Sequence, residues 1–241
     1  ITSWGKDYDE EKLAEMINRR IRVEKIANKD VKMRTFITED VSRNELVQHV
    51  YDITYGSIRK KDDTVVVIDD SIVRGTTLRE SIIKMVSRLE PKRIIIVSSA
   101  PQIRYPDCYG IDMSKMNDFI AFQAAILLIK EQKLDYLLQD LYNKCRELER
   151  NNQLNTENVV RGVYKPFTAE DISKKIAQLI TPPDVTIPVD VIYQTIEDLH
   201  ESCPTNTGDW YFTGNYPTPG GNRVVNKAFI NFMEGKNIRG Y

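Results

Sequence analysis

The chain has 241 residues, of which 41% are hydrophobic and 29% are charged. This composition is typical of a globular protein and excludes a disordered or fibrous chain. The 34 Lys and Arg residues nearly balance the 35 Asp and Glu residues, so the net charge at pH 7 is -1. Because nucleic acid and anionic membranes bind broad positive surfaces, we expect neither of them as a partner.

The cysteine pattern and the N-terminus indicate a cytoplasmic setting. Three cysteines lie far apart in the sequence, at Cys108, Cys145 and Cys203, whereas secreted disulfide frameworks use an even number at short spacings. No apolar run approaches the roughly 20 residues that span a bilayer, and the first residues lack the features of a signal peptide. Since residue 1 is Ile rather than Met, we expect a processed piece or a fragment of a longer protein.

The first half of the chain contains one clear structural unit. A helix is predicted over residues 9–27, a β-prone stretch over 31–37, and an ambiguous element over 45–55. The β-branched run from Thr64 to Ile68 predicts a strand that is buried on both faces, as in a parallel sheet. A polar loop follows, then a helix over 77–89 that Pro91 terminates, then a strand over 94–97. Strand, helix and strand in this order predict a βαβ unit.

The second half is predicted to be mainly helical. Pro101 to Asp112 is loop-like, and helices are predicted over 116–129, 133–148 and 168–179. The pattern leaves 191–200 as a possible helix and predicts ordered loop from Thr205 onward. We therefore expect an α/β fold, a mainly parallel sheet flanked by helices, in a domain of residues 1–148. Residues 149–241 would form a helical and loop extension.

The candidate functional residues follow the first strand of the βαβ unit. Asp69 and Asp70 come at its carboxyl end, where open α/β sheets bind ligands. The loop that leads into the next helix offers hydroxyls, a glycine and a cation, at Ser71, Arg74, Gly75, Thr76 and Thr77. Backbone N–H groups at a helix N-terminus attract phosphate, whereas adjacent carboxylates bind sugar hydroxyls or Mg2+. The string therefore combines a phosphate-binding end with an acidic end.

An Asp-Asp pair alone more often ends a strand and caps a turn. The whole string inside a βαβ unit favours a ligand site instead. Neither the G-x-x-x-x-G-K-[ST] loop nor the G-x-G-x-x-G fingerprint is present, so two common nucleotide-binding motifs are excluded.

The string Asp-Asp-Ser-Ile-Val-Arg-Gly-Thr-Thr at 69–77 resembles the phosphoribosyl pyrophosphate (PRPP) signature of type I phosphoribosyltransferases. In this form it is similar to the signature of the glutamine PRPP amidotransferase family. Four further segments resemble that family, at 34–37, 104–106, 109–113 and 212–217. The resemblance implies the type I phosphoribosyltransferase fold.

The same resemblance implies a reaction and a set of residue roles. Asp69 and Asp70 would be the catalytic pair and would bind the ribose hydroxyls and Mg2+. The 5-phosphate would be cradled by Ser71 and residues 74–77, while Arg34 would begin a mobile loop that closes over PRPP. Ammonia would displace pyrophosphate from PRPP to give 5-phosphoribosylamine, the first committed step of purine synthesis. Purine nucleotides as feedback inhibitors and a homo-oligomer are also implied.

The chain departs from the family pattern at several positions. The family's glutaminase domain begins with a catalytic cysteine, but here the first cysteine is Cys108, so we expect the glutaminase half to be missing from this chain. Some members hold an iron–sulfur cluster on cysteines, and those positions here carry Asp107, Gly208 and Tyr211. We therefore expect no such cluster. In the mobile loop, residues 39–41 replace the usual Pro-x-Gln.

Two alternatives remain open from the sequence. One is a salvage phosphoribosyltransferase that joins a base to PRPP, which the Ser-Ile-Val-Arg form of the loop disfavours. The other is a binding module that senses PRPP or a nucleotide through a decayed active site, which the altered mobile loop favours.

Overall fold

The computed structural model describes residues 10–18, 22–24, 26–29, 51–54, 56–108, 113–205 and 208–240. The chain divides into two compact units between Ser57 and Ile58. In the first unit, helix α1 is Glu10–Asn18 and the antiparallel strands β1 and β2 are Ala27–Lys29 and Tyr51–Ile53. The helix predicted over 9–27 is therefore too long, because residues 22–24 and 26 are not helical and strand β1 begins at Ala27. The strand predicted over 31–37 lies outside the described residues.

The second unit is built on a parallel sheet. Its strands are β3 (Thr64–Asp69), β4 (Arg93–Ser98) and β5 (Val189–Tyr193). They are arranged in the order β3-β4-β5, and both pairs are parallel. Both strands predicted from the β-branched runs are confirmed, and so is the mainly parallel sheet of the expected α/β fold.

Helix α2 connects β3 to β4 and completes the predicted βαβ unit. It begins at Thr76, and the segment Leu78–Ile82 is π-helical, with the Ile83 N–H donating to the Leu78 carbonyl. The α-helical part is Ile83–Ser87. The helix contacts β4, and its Leu78, Ile83 and Val86 side chains are buried.

The remaining helices confirm three predictions and correct two. The elements are α3 (Ile120–Glu131), α4 (Asp135–Arg150), α5 (Ala169–Ile180), α6 (Ile196–Ser202), α7 (Trp210–Thr213) and α8 (Pro219–Met233), with 3-10 turns at Met116–Asp118 and Val159–Val163. Helices α3, α4 and α5 lie where the periodicity predicts them. The α5 helix begins with a capping box between Thr168 and Asp171, which explains why its start was readable from the sequence.

The possible helix over 191–200 is wrong in its first half. Residues 189–193 form strand β5 instead, and the helix begins only at Ile196, where the Thr195 side chain caps the Asp198 N–H. The loop predicted from Thr205 is also wrong, since residues 219–233 form helix α8. Pro219 and two glycines obscure the start of this helix, although proline is well suited to the first helical position.

Helix α8 is fixed to the rest of the second unit by aromatic and polar contacts. The Phe122 ring of α3 makes edge contacts with Phe229 and Phe232 of α8. The fully buried Asn226 side chain donates to the carbonyls of Leu154 and Glu157 at 2.9 and 2.7 Å. The C-terminal segment is therefore part of the core of this unit, and the predicted boundary at 148 remains a prediction.

The sheet is buried on one face only. Val65, Ile94 and Ile96 are at most 5% exposed, whereas Val66 is 55% and Ile68 is 74% exposed. The prediction that β3 is buried on both faces is therefore wrong. The alternation shows that helices of this unit pack on a single face. No helix among the described residues is long and apolar enough to cross a membrane.

Candidate functional site

The two adjacent carboxylates lie at the carboxyl end of β3. Asp69 is the last residue of the strand, and Asp70 follows it at the surface. Ser99, which follows β4, holds this turn: its N–H donates to the Asp69 carbonyl at 2.9 Å, and its hydroxyl donates to the same carbonyl at 3.1 Å. The hydroxyl also lies 3.3 Å from the Asp70 carbonyl. The parallel pairing of β3 with β4 thus fixes the backbone that carries both acids.

The carboxyl groups are held by local backbone contacts and repel each other. The Asp70 N–H donates to Asp69 Oδ1 at 3.1 Å, and the Ser71 N–H donates to Asp70 Oδ1 at 2.7 Å. Partial burial raises the pKa of the Asp69 carboxyl, and the neighbouring Asp70 charge raises it further. A bound cation would relieve this repulsion, because it favours the ionised form of both groups.

The loop after Asp70 is anchored by two buried side chains and presents its polar ones outward. Ile72 is 3% and Leu78 is 2% exposed, and the Val73 carbonyl accepts the Ile120 N–H at 2.8 Å. Between these anchors, Thr76 and Thr77 are exposed at the start of α2. Hydroxyls and unpaired N–H groups at such a helix start can bind a phosphate.

Gly75 is required by packing within the protein. Its φ angle is +70°, and a Cβ atom there would lie 2.6 Å from Ile120 Cδ1 and 2.8 Å from Ile180 Cγ2. The family resemblance implies a place for this glycine in the phosphate cradle. In the structure, the close approach that it permits is to helices α3 and α5, and it thereby sets the position of the helix start that follows.

Arg74 is directed toward a residue that the sequence analysis missed. Its Nη2 atom forms an ion pair with Asp118 Oδ2 at 3.0 Å. Asp118 lies 44 residues downstream in a 3-10 turn, and nothing in the local sequence indicates the contact. The role of Arg74 in a phosphate cradle remains a prediction. Ser99 was missed as well, although its position just after the next parallel strand is a usable signal.

Several other expected residues cannot be located. Arg34, the rest of the mobile loop at 34–41, and residues 109–112 lie outside the described residues. Their predicted roles therefore remain predictions.

Comparisons with known proteins agree with the motif. The amidophosphoribosyltransferase of Pasteurella multocida is 52% identical over 62 residues, which are 26% of this chain and 12% of that protein. The enzyme of Schizosaccharomyces pombe is 38% identical over 93 residues, covering 36% of this chain and 17% of its own length. The sequence similarity is to amidophosphoribosyltransferases. The resemblance to this family that the sequence predicts is thereby confirmed.

The similarity extends over only part of those enzymes. For the Saccharomyces cerevisiae amidophosphoribosyltransferase, 139 residues at 30% identity cover 54% of this chain and 27% of that protein. A solved structure of the glutamine PRPP amidotransferase from B. subtilis, complexed with ADP and GMP, matches 81% of this chain and 32% of its own chain, at 22% identity and a TM-score of 0.45. No protein-family model matches. The chain thus spans about a quarter or less of the curated amidophosphoribosyltransferases named above.

The carboxylates of Asp69 and Asp70 fit a magnesium ion whose other ligands are water and substrate oxygens better than a metal ion whose ligands all come from protein side chains. No group of three or more metal-binding side chains occurs among the residues that the structure describes. Mg2+ in phosphate-handling sites typically uses one or two carboxylates, and water and substrate oxygens complete its shell. Asp69 and Asp70 supply that donor set, with hard oxygen atoms and a repulsion that a cation would remove.

Proposed function

We propose that this chain is the phosphoribosyltransferase part of an amidophosphoribosyltransferase. It would convert PRPP and ammonia into 5-phosphoribosylamine and pyrophosphate, with Mg2+, in the cytoplasm. The observation that carries this proposal is the continuous run from Asp69 to Thr77, which joins the carboxyl end of β3 to the start of α2. An acidic end and a phosphate-binding end in one loop match a sugar phosphate activated by pyrophosphate.

The two ends divide the recognition of PRPP between them. The carboxylates of Asp69 and Asp70 accept hydrogen bonds from the ribose hydroxyls. The hydroxyls of Ser71, Thr76 and Thr77 and the N–H groups at the start of α2 hold the 5-phosphate. Because Ile72 and Leu78 anchor the loop in the core, these donors are positioned before the substrate arrives.

The reaction requires charged groups to be positioned around the ribose and the departing pyrophosphate. The bond from C1 of the ribose to pyrophosphate breaks, the ammonia nitrogen bonds to C1, and the attacking ammonia then loses a proton. A bound Mg2+ supplies a positive charge that stabilises the departing pyrophosphate. The acidic pair orients the ribose and faces the positive charge that develops on it, while Gly75 keeps the phosphate end fixed against α3 and α5.

Further ligands and assembly are proposed on the resemblance alone. These are purine nucleotides as feedback inhibitors, a homo-oligomer, and Arg34 and Arg74 as additional PRPP-binding residues. For Arg74 to reach a phosphate, its guanidinium must share or leave the contact with Asp118.

The test is an assay of pyrophosphate release with PRPP, Mg2+ and ammonium. Turnover with ammonium is expected. Turnover only with a purine or pyrimidine base would instead assign a salvage enzyme, and saturable PRPP binding without turnover would assign a sensing module.

The Asp70→Asn variant should lose about 100-fold or more of the rate, the scale typical of removing one stabilising group. Asp140→Asn, an exposed carboxylate on α4, is the matched control and should leave the rate unchanged.

A further inference from the structure

A cavity of about 740 Å³ lies between β5, α5 and the start of α6. None of the residues 69–77 lines it. Its volume is within the range of small-molecule sites. The walls include the apolar side chains of Phe167, Ala177, Val191 and Ile196.

Arg104 contributes a positioned cation to this cavity. Its Nε and Nη2 atoms lie 3.1 and 2.7 Å from Gln102 Oε1, and its Cζ atom lies 5.1 Å from the centre of the Tyr164 ring. Gln102 is itself fixed, because its Nε2 atom donates to the Ala169 carbonyl and to the Ser173 hydroxyl at 2.7 and 2.8 Å. The guanidinium is therefore held by neutral groups, and these contacts from the described residues do not neutralise its charge.

The other charges in the cavity are mostly neutralised by each other. Arg93 pairs with Asp190 at 2.6 Å, and Lys174 pairs with Glu170 at 2.8 Å. Among the described residues, Arg104 forms no salt bridge, and the remaining acid that lines the cavity, the exposed Glu197, forms none either. One positioned cation in a partly apolar cavity fits a small ligand with one anionic group.

We propose that this cavity binds an oxyanion, a carboxylate or a phosphate, carried on a small apolar or aromatic body. The planar guanidinium of Arg104 would hold the anion through the N–H groups that Gln102 does not use. The apolar wall around Phe167 would take the body of the ligand. This site goes beyond the proposed phosphoribosyl transfer and does not depend on it.

The test is a titration of the full chain, followed residue by residue by NMR, with phenyl phosphate, benzoate and benzyl alcohol as probes. We expect saturable shifts around Arg104, Ala169 and Thr195 with the two anions and weaker binding of the neutral alcohol. The relative affinities of phenyl phosphate and benzoate identify which anion is preferred. Shifts confined to the loop around Gly75 and Thr76, or equal binding of the alcohol, would overturn the proposal.

Two variants and a control separate binding from folding. Arg104→Ala should weaken both anions about tenfold or more, the scale of a lost charged hydrogen bond, and its melting temperature reports any damage to the Gln102 network. Ile192→Glu places a like charge on the cavity wall at a side chain that is already 52% exposed, and it should also weaken the anions. Val66→Glu, at a 55% exposed position outside the cavity, should not. Unchanged affinity in both Arg104→Ala and Ile192→Glu would contradict the site.

Discussion

Polar groups differ in how fully they are paired in two regions, the loop of residues 69–77 (the acidic loop) and the buried hydrogen bonds of Asn226 (the Asn226 network). At the loop, two adjacent carboxylates lie together and the pKa of one is raised by burial and by the other charge. At α8, the buried Asn226 side chain bonds to three backbone groups at 2.7 to 3.0 Å. Full satisfaction indicates a structural role, whereas an unrelieved repulsion indicates a ligand site. Substitutions should therefore have opposite consequences in the two regions.

The largest effect on stability is expected at Asn226. The Asn226→Ala variant leaves the Val159 N–H and the carbonyls of Leu154 and Glu157 without their partner. We expect a loss of about 3 kcal/mol in the free energy of unfolding, measured by urea denaturation. Asn222→Ala on the same helix, which removes one 3.3 Å hydrogen bond, should cost far less. Equal losses of unfolding free energy in the two variants would show that the buried hydrogen bonds of Asn226 stabilise the fold no more than the single bond of Asn222.

The next effect is expected where the acidic loop meets the core. Gly75→Ala should destabilise the fold, because alanine disfavours the positive φ angle and its Cβ would overlap Ile120 and Ile180. Gly235→Ala is a matched control, because its φ is +69° and nothing lies within 4 Å of the added atom. The difference between the two unfolding free energies should be about 1–3 kcal/mol, the usual cost of overpacking. A difference near zero would mean that the helices move aside and that Gly75 does not fix the loop.

Asp69→Asn is expected to separate stability from binding. Since the folded-state pKa of Asp69 is raised above its ordinary value, this group stabilises the fold when protonated, and the stabilisation is lost as the pH rises through the raised pKa. At pH 7 the variant should therefore melt at a slightly higher temperature than the wild type, and the gap should shrink as the pH is lowered toward the ordinary pKa of an aspartate. The variant should also bind PRPP more weakly. A lower melting temperature at pH 7 would indicate that the carboxylate is structural.

The smallest effect concerns thiol reactivity. Burial raises the pKa of the Cys145 thiol to about 12, whereas Cys203 is exposed. Because the thiolate is the reactive form, iodoacetamide at pH 8 should modify Cys203 in the native chain and Cys145 only after unfolding. Mass spectrometry of the peptides distinguishes the two. Rapid native labelling of Cys145 would contradict the burial of α4 against α8.

The acidic loop was predictable from the sequence because its signal is local. The β-branched run before Asp69 and the helical spacing after Thr77 specify the strand, loop and helix without knowledge of distant residues. The pairing of Arg74 with Asp118 joins positions 44 residues apart, and local patterns carry no information about such contacts. The same holds for the reason that residue 75 is glycine, which depends on Ile120 and Ile180.

The C-terminal segment was less predictable for similar reasons. Strand β5 has a short run, residues 189–193, next to a capped helix, and only its pairing with β4 makes it a strand. Helix α8 does have a readable pattern, because Val224, Val225 and Ala228 share a buried face with Phe229. Pro219 and the two glycines after it hid that pattern.

The run from Asp69 to Thr77 is proposed to bind PRPP together with Mg2+. Calorimetric titration of the full chain with PRPP, with and without Mg2+, tests it most directly. We expect saturable binding that requires Mg2+, is strongly weakened by Asp70→Asn and is unchanged by Asp140→Asn. Absence of binding in the folded wild type, or equal binding in all three proteins, would contradict it.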